Sequence, residues 1–319
     1  MRHESRVGLV VGSLLLVALG ACSGDEATQT NTAQGSQKPA VARIASPAAL
    51  QEPAPTVPVA QPLLEERAAA ALVHQAAAKA DAAGTVSFRS TSVVRGEAKV
   101  LSISVTEGVS SMALPTSGRY TVRSTNPRAT MANTSVMITP PVLYVTTDLF
   151  KDNAALSTKP WLVSAIESRK EPVLGSYGKE RTFLKQLGGG PRNAFPSIFI
   201  KGLSVADSIV ERPSVALDGV TVRHFVVRLP IAGLATAYDG DLLGQYGYGN
   251  ESAAEESGLP VDVWIDEAGL VRRIGEVADP TIPLTETMDV LEYGVPLDLR
   301  PPPADDTIDL RALIAAEAA

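Results

Sequence analysis

Apolar and polar residues alternate one by one along several stretches of the chain, as they do in strands that bury one face. The alternation is clearest at residues 101–106, 119–123 and 261–266. Turn signals such as Asp218-Gly219 separate further runs of strand character. So many strands at hairpin spacing predict a large curved antiparallel sheet or an incomplete barrel. The further runs cover residues 86–94, 129–139, 142–147, 220–229, 270–277 and 284–293.

An alanine-rich segment, residues 63–83, precedes these strands and has helical character. Glu65 and Glu66 lie near its start, Lys79 lies near its end, and Gly84 follows it. This distribution of charge agrees with the helix dipole, and the glycine agrees with a helix stop. Apolar positions at helical spacing predict a stripe that packs on a partner surface. The stripe consists of Leu64, Ala68, Ala71 or Leu72, and Ala76.

Three more helices are predicted at residues 161–168, 179–187 and 231–245, between strands rather than at the ends of the chain. Helices laid across one face of a curled antiparallel sheet give an α+β fold. The pattern therefore predicts an α+β fold, in which helices lie across one face of a large curved antiparallel sheet or an incomplete barrel.

The start of the chain has the form of an export signal. Arg2 and Arg6 precede an apolar run at 7–19 that is too short to span a bilayer. The run ends in Leu19-Gly20-Ala21-Cys22, which resembles the lipobox cleaved by signal peptidase II. We expect Cys22 to become the first residue of the mature chain and to carry the lipid that anchors it to a membrane. A chance cysteine after an ordinary secretory signal is disfavoured, because the chain has a single cysteine.

A polar segment, residues 22–62, follows the signal. It is rich in Ser, Thr, Gln, Ala and Pro and buries too little apolar surface to fold, so we expect a disordered stalk. Such a segment reaches roughly 35 Å as a flexible coil. The predicted organisation is therefore a signal peptide at 1–21, this linker, one folded domain at 63–310 and a C-terminal tail at 311–319.

The charge balance is acidic, with 28 Lys and Arg against 35 Asp and Glu and a formal net charge of −7. This excess argues against binding to nucleic acid and against a polybasic grip on anionic lipid. No second segment of the sequence is long and apolar enough to predict a transmembrane helix. We expect a monomer on the outer face of the cytoplasmic membrane.

Reactive groups are few. His74 falls on the first predicted helix, His224 falls on a predicted strand, and neither HExxH nor GxSxG occurs. The glycines at 188–190 lack the Lys and Ser or Thr of a phosphate loop. We therefore expect no catalytic residue, no cofactor and no enzyme activity. Hydrolysis by two carboxylates from distant strands stays open, because such pairs leave no local motif.

One acidic loop has the oxygen-bearing side chains that calcium prefers. Its spacing does not fit an EF-hand, because Leu243 occupies a ligand position. We therefore expect a solvated loop and no metal site. The residues concerned are Asp239, Asp241, Asn250, Glu251, Glu255 and Glu256.

Several short strings occur in order along residues 63–310. They are Lys159-Pro160-Trp161, Leu217-Asp218-Gly219-Val220, the residues 259–266 followed by 269–273, and Tyr293-Gly294-Val295-Pro296 running to 301–306. In this order they resemble the actinobacterial LppX/LprA/LprF/LprG lipoproteins, which share their shape with the LolA carriers. The resemblance implies a LolA-like half-barrel, with helices packed on its concave side around an apolar cavity that takes the acyl chains of a lipid or glycolipid, as carrier or presenter. The long stalk and the Gly- and acid-rich stretch at 239–258 depart from that family.

The resemblance transfers no individual ligand contact, so the candidate lining is taken from the apolar faces of the predicted strands. The same residues suit a plain core equally well. In that case the domain would be an interaction or sensor module for an envelope protein or a cell-wall component. The candidates are Val86, Phe88, Leu101, Ile103, Val105, Tyr120, Val122, Val136, Ile138, Leu143, Val145, Phe225 and Val263.

Overall fold

The structure, a computed structural model, describes residues 57–95, 100–114, 117–124, 134–146, 153–165, 196–230, 258–276 and 284–317. All of them belong to one compact unit, Ala48–Ala319. The signal peptide, Cys22 and most of the predicted linker lie outside the described residues. So do the predicted helices at 179–187 and 231–245 and the acidic residues at 239–256.

Strands make up most of the described chain. They are β1 (Val57–Pro58), β2 (Thr85–Arg95), β3 (Val100–Ser111), β4 (Gly118–Ser124), β5 (Thr134–Thr139), β6 (Val142–Thr146), β7 (Trp161–Ala165), β8 (Ser208–Leu217), β9 (Val220–Leu229), β10 (Leu259–Asp266), β11 (Val271–Glu276), β12 (Leu284–Tyr293) and β13 (Thr307–Asp309). The helices are α1 (Glu66–Ala83), α2 (Pro196–Gly202) and α3 (Leu310–Glu317), with 3-10 turns at Leu203–Val205 and Ala304–Asp306.

All these strands join one open, curved sheet in the order β1-β8-β9-β10-β11-β12-β2-β3-β4-β5-β6-β7-β13. Neighbouring strands are antiparallel except β7 and β13, which run parallel. Helix α1 packs on β2, β8 and β11, helix α2 packs on β2, β3 and β11, and helix α3 packs on β7. The predicted α+β class, an antiparallel half-barrel with helices, is confirmed.

Helix α1 ends where the sequence predicts. Gly84 adopts φ 77°, a left-handed conformation that glycine tolerates, and its N–H donates to the carbonyl of Asp81. The predicted stripe is wrong at Ala68, which is exposed, and of the alternatives Ala71 and Leu72 it is Leu72 that packs against the core. Alanines occur on every side of this helix, so the contact with the sheet decides which of them are covered. The buried residues are Ala69, Val73, Ala76, Ala77 and Ala80.

The helix predicted at 161–168 is wrong where the structure describes it. Trp161–Ala165 is strand β7, which pairs with β6 on one side and with β13 on the other. Trp, Leu and Val suit a pleated surface, and the distant partner β13 completes the ladder. Strand β8 and helix α2 were not predicted.

Both ends of the predicted domain carry additional structure. Strand β1 pairs with β8, the Val59 N–H donates to the Ser214 carbonyl at 2.7 Å, and the Ser214 hydroxyl donates to Gln61 Oε1 at 2.9 Å. Ordered chain therefore begins before residue 63. Helix α3 covers residues 311–317 of the predicted tail.

Candidate functional site

The pairing register divides the sheet into two faces, because directly paired residues of neighbouring strands point to the same side. We call the side on which α1 packs the inner face. One row of paired residues crosses eight strands on this face and is apolar apart from one glycine. These residues are at most 8% exposed where they carry a side chain. The apolar row consists of Val290, Phe88, Gly108, Tyr120, Val136, Val145, Leu162 and Ile308.

Gly108 lies in the middle of the apolar row, between Phe88 and Tyr120. A Cβ atom added at this position would lie 2.5 Å from the Cβ of Tyr120, and it would also clash with the Arg119 carbonyl. Strands β3 and β4 approach each other here too closely for any side chain at residue 108. A glycine inside a strand marks such a close approach.

Two apolar clusters cover the inner face. The helix cluster joins α1 and α2 to β8–β12, and its largest buried members include Phe199, Ile200, Phe225 and Ile265. The distal cluster lies mainly on β4–β7, with members on β2, β13 and α3, and the partly buried Ile198 packs against both clusters. The distal cluster consists of Phe88, Tyr120, Val122, Val136, Ile138, Leu143, Val145, Leu156, Leu162, Ile308 and Leu310.

Ten of the thirteen candidate lining residues lie on the inner face, and all ten are buried. Eight belong to the β2–β6 region and two belong to β9 and β10. Their role as the lining of a ligand cavity stays a prediction. The ten are Val86, Phe88, Tyr120, Val122, Val136, Ile138, Leu143, Val145, Phe225 and Val263.

The other three candidates, Leu101, Ile103 and Val105, lie on the outer face, which corrects the prediction that they point inward. Leu101 is 55% exposed, whereas Val105 is buried, as is Val93, the pairing partner of Ile103. Alternation along β3 shows that every second residue points to the same face, but it does not show which of the two sets faces the core. The residues of β3 that point inward are small or polar, and they are Ser102, Ser104, Thr106, Gly108 and Ser110.

A polar patch therefore adjoins the apolar row on the inner face. Glu286, Ser92, Ser104 and Ser124 form one row across β12, β2, β3 and β4. The next row, towards the apolar row, contains Met288, Ser90, Thr106, Val122 and Thr134. We call the following set the hydroxyl patch: Ser90, Ser92, Ser102, Ser104, Thr106, Ser124 and Thr134.

Hydrogen bonds connect Ser90 with Glu286 and Ser104 with Ser124. The Ser90 hydroxyl donates to Glu286 Oε1 at 3.0 Å, and the Ser104 hydroxyl donates to the Ser124 hydroxyl at 3.0 Å. Glu286 is only 4% exposed, whereas Ser104 and Ser124 are half-buried. Sequence reasoning missed these residues, although the serines and threonines at alternate positions of β3 were a visible signal.

Charged side chains of the outer face bind one another. Glu107 contacts both Arg89 at 2.7 Å and Arg123 at 2.8 Å. These residues come from β2, β3 and β4, so the ion pairs connect three neighbouring strands. These ion pairs lie on the outer face, so they connect the strands without contributing side chains to the inner face.

His224 belongs to a separate polar group on the outer face. Its Nε2 lies 2.6 Å from Asp262 Oδ1, and its ring stacks on Trp264 with centroids 4.7 Å apart. His74 is exposed on α1, with its Nε2 3.4 Å from the carbonyl of Ala206. Each histidine thus has a contact that fits a packing role.

Clearly shifted pKa values occur at Tyr293 and at the Asp298–Arg300 pair. Burial raises the pKa of the Tyr293 phenol, whose hydroxyl donates to the Val271 carbonyl at 2.8 Å. Hydrogen bonds from Arg300 lower the pKa of the exposed Asp298 carboxyl. Within the described ranges, no three His, Cys, Asp or Glu side chains group to hold a metal ion. None of the helices in this part of the chain is long and apolar enough to cross a membrane.

Comparison with known proteins gives similarities of structure. No protein-family model matches the chain, and no curated protein matches it. The lipoprotein LppX of Mycobacterium tuberculosis is similar at 13% identity, with 74% of this chain and 100% of that chain covered and a TM-score of 0.40. LprF of Mycobacterium bovis is similar at 12% identity, with 74% of this chain and 97% of that chain covered and a TM-score of 0.39.

A LolA superfamily protein of Nitrosomonas europaea is also similar, at 8% identity, with 74% of this chain and 96% of that chain covered and a TM-score of 0.26. LppX and LprF are two of the lipoproteins that the sequence strings resemble.

Proposed function

We propose that the protein is a lipid-anchored extracytoplasmic protein that binds the acyl chains of a lipid or glycolipid against the inner face of its sheet, as carrier or presenter. The observation that carries this proposal is the continuous apolar row from Val290 to Ile308. The strings that resemble the lipid-binding lipoproteins support the same function. We propose no catalytic step.

Helix placement supports the distal cluster as the binding region. Among the described helices, α1 packs mainly on β8 and β11, α2 packs on β2, β3 and β11, and α3 packs at the β7 edge. Between them, the inner faces of β4, β5 and β6 present Tyr120, Val136 and Val145 in one row. Acyl chains laid along this region would contact apolar side chains throughout.

The energetics favour reversible exchange. Each acyl methylene removed from water gains about 0.8 kcal/mol, so a free chain would bind strongly to such a surface. A lipid taken from a bilayer is already in hydrocarbon, so the hydrophobic terms nearly cancel. If the protein holds the acyl chains with about the same free energy as the bilayer does, it can both load and release its ligand. Lipid on Cys22 would keep it beside that bilayer.

A specific observation favours the second candidate, an interaction or sensor module with a closed core. Val136 and Leu143 of the distal cluster are fully buried, as they would be in a core filled by the protein's own side chains. In that case the outer surface would bind an envelope protein or a cell-wall component. The two functions differ in whether the distal cluster accommodates an additional molecule.

A matched pair of substitutions tests the proposal. Val122 lies on the inner face and Ile103 lies on the outer face of the adjacent strand. We expect the mature protein, purified from bacterial membranes and held in amphipol, to carry non-covalent lipid by native mass spectrometry. Val122→Trp should lower lipid occupancy several-fold, because the indole occupies the space of the acyl chain, and Ile103→Trp should leave occupancy unchanged.

Thermal unfolding of the same variants separates the two functions. Overpacking a filled core costs about 1–3 kcal/mol, whereas a side chain that enters ligand space costs less. Lipid-free wild-type protein together with a strongly destabilised Val122→Trp variant would establish a closed core. The lipid-binding proposal would then give way to the interaction module.

A further inference from the structure

We infer that acyl chains enter the distal cluster from the β7 edge of the sheet, and that the last part of the described chain is a gate at this edge. We call β13 and α3, with the 3-10 turn before them, the C-terminal unit, which covers residues 304–317. This inference rests on the proposed lipid-binding function and adds to it the entry route and its control.

The C-terminal unit contributes apolar side chains to the distal cluster. Ile308 is the last member of the apolar row, and Leu310 is only 1% exposed. Leu313 and Ile314 pack against the same cluster. Positions 310, 313 and 314 lie on one side of a helix, so α3 turns a single apolar face to the sheet. The unit therefore covers the β7 end of the surface on which the proposed function places acyl chains.

Strand pairing attaches the C-terminal unit to one neighbour. In the described sheet β13 is the last strand, and it pairs with β7 through three residue pairs, from Thr307 with Trp161 to Asp309 with Val163. Departure of β13 would therefore break no other strand pairing in this sheet. It would leave β7 as the edge strand and uncover the distal cluster from that side.

Among the described helices, α3 is the least buried. Helix α1 buries five residues in the helix cluster, and α2 buries Phe199 and Ile200 there. Of residues 310–316, only Leu310 is buried. Segments with few buried apolar contacts open locally at a lower free-energy cost than the rest of a fold. Helix α3 can therefore leave the sheet while the sheet itself remains folded.

An exposed lysine holds the start of the C-terminal unit. Lys159 Nζ donates to the carbonyls of Ala304 at 3.3 Å and of Thr307 at 3.1 Å. Lys159 and Ala304 belong to two of the short sequence strings, which thus meet at this joint. Water competes for both partners of an exposed hydrogen bond, so these bonds hold the unit and still allow its release.

The connection from β12 to the C-terminal unit provides a hinge. The Gly294 N–H donates to the Thr85 carbonyl at 2.9 Å, and the Thr85 hydroxyl donates to the Val295 carbonyl at 2.6 Å. These bonds fix the start of the connection to β2. Residues 296–303 form neither helix nor strand, and their four prolines lack the N–H that strand pairing requires. The unit can therefore move away from β7 while β12 stays in place.

Hydrogen bonds inside the C-terminal unit do not oppose its release. Asp309 Oδ1 accepts from the N–H of Arg311 at 2.8 Å and from that of Ala312 at 3.4 Å, which caps the start of α3. Asp309 belongs to β13, so this cap connects the two elements of the unit with each other. We therefore expect β13 and α3 to leave the sheet together.

A reversible disulfide tests the gate. Thr307 and Trp161 are directly paired, and such residues lie about 4.8 Å apart, within the range of a disulfide. Thr307→Cys with Trp161→Cys should therefore fix the unit to β7 on oxidation and free it on reduction. Stopped-flow fluorescence follows loading of cis-parinaric acid, a fluorescent fatty acid, into the mature protein in amphipol, with empty amphipol as the blank. We expect the oxidised form to load about tenfold more slowly than the reduced form, because it cannot open locally.

Lys159→Ala tests the same gate without a disulfide. It should load the probe several-fold faster than wild type, because the lysine no longer holds the unit. Arg311→Ala is the matched control, because Arg311 is exposed on the outward side of α3, and it should keep the wild-type rate. Hydrogen exchange supplies a readout without ligand. Amides of residues 310–316 should exchange several-fold faster in Lys159→Ala than in wild type, and those of β9 should not change.

Equal loading rates of the oxidised and reduced forms, with the disulfide verified by mass, would overturn the gate while the probe still binds, and the proposed function would stand. Wild-type loading and exchange in Lys159→Ala would overturn it as well. Failure of the probe to bind wild type and the reduced variant would refute the proposed function, and the gate with it. The two failures are therefore distinguishable in one set of measurements.

Discussion

Glu211 and Arg223 form an ion pair between β8 and β9, with Oε1 2.6 Å from Nη1 and only 3% of the Glu211 side chain exposed. The other carboxylate oxygen of Glu211 accepts from the Leu64 N–H at 2.5 Å. Arg223 also donates to the Pro62 carbonyl at 3.3 Å. This pair therefore connects the sheet to the segment that leads from the linker into α1.

Removing one partner of this pair should destabilise the domain. Glu211→Gln retains a hydrogen-bond acceptor and loses the charge opposite Arg223, whose side chain is 24% exposed. Partial exposure screens the interaction, so we expect a loss of about 1–3 kcal/mol in free energy of unfolding. Urea unfolding of Glu211→Gln, Arg223→Gln and the double variant measures the coupling. Additive losses would show that the pair contributes no interaction energy.

Residues 57–61 should contribute to stability although their composition resembles the linker. A mature chain that starts at Leu63 loses strand β1 and the hydrogen bonds of Ser214 to Val59 and Gln61. Net contributions of about 1 kcal/mol per hydrogen bond predict a lower thermal midpoint than for a chain that starts at Ala48. Calorimetry of the two chains compares them directly. Equal midpoints would place the start of the stable fold at α1.

Gly108→Ala should be strongly destabilising. The added Cβ would lie 2.5 Å from the Cβ of Tyr120, so β3 and β4 must separate. Overpacking of this kind typically costs about 1–3 kcal/mol. Gly275→Ala is the control, because its Cβ would approach Trp264 only to 3.4 Å, which is ordinary contact. Chemical unfolding measures both variants, and a neutral Gly108→Ala would contradict the close approach of the two strands.

Stability at alkaline pH should depend on Tyr293. Burial raises the pKa of its phenol, so the folded protein retains this proton where the unfolded chain has lost it. The resulting stabilisation is complete below the unfolded pKa of about 10 and is lost as pH rises above it. Tyr293→Phe should be less stable at neutral pH, because the bond to the Val271 carbonyl is missing, and should lose less stability between about pH 9 and about pH 11.

Urea midpoints of wild type and Tyr293→Phe across this pH range supply the measurement. If the urea midpoint of Tyr293→Phe falls with pH as steeply as that of wild type, groups other than Tyr293 cause the alkaline instability.

Cys22→Ala should abolish lipid attachment, because its thiol is the single acceptor in the chain. Labelling of cells with a palmitate analogue should mark the wild-type protein and leave the variant unlabelled. The variant should also keep its signal segment, which a shift in mass reveals. Equal labelling of both proteins would refute the proposed anchor.

Local pattern was sufficient to predict many of the strands and the main helix. The predicted limits 220–229 and 284–293 coincide with β9 and β12, and Gly84 ends α1 as predicted. These features depend on alternation, turn residues and glycine conformation, which are properties of neighbouring residues. A curved antiparallel sheet with helices follows from them because so many one-faced strands have to share a core.

Tertiary structure alone decided which face of each strand is covered. Alternation in β3 was visible, yet Leu101, Ile103 and Val105 face outward, because pairing with β2 and β4 sets the face. Pairing with β6 and the distant β13 likewise makes Trp161–Ala165 a strand. A two-residue period has two equivalent phases, and only the register with neighbouring strands selects between them. The register places the serines and threonines of β3 on the inner face, and for this reason the hydroxyl patch lies beside the apolar row.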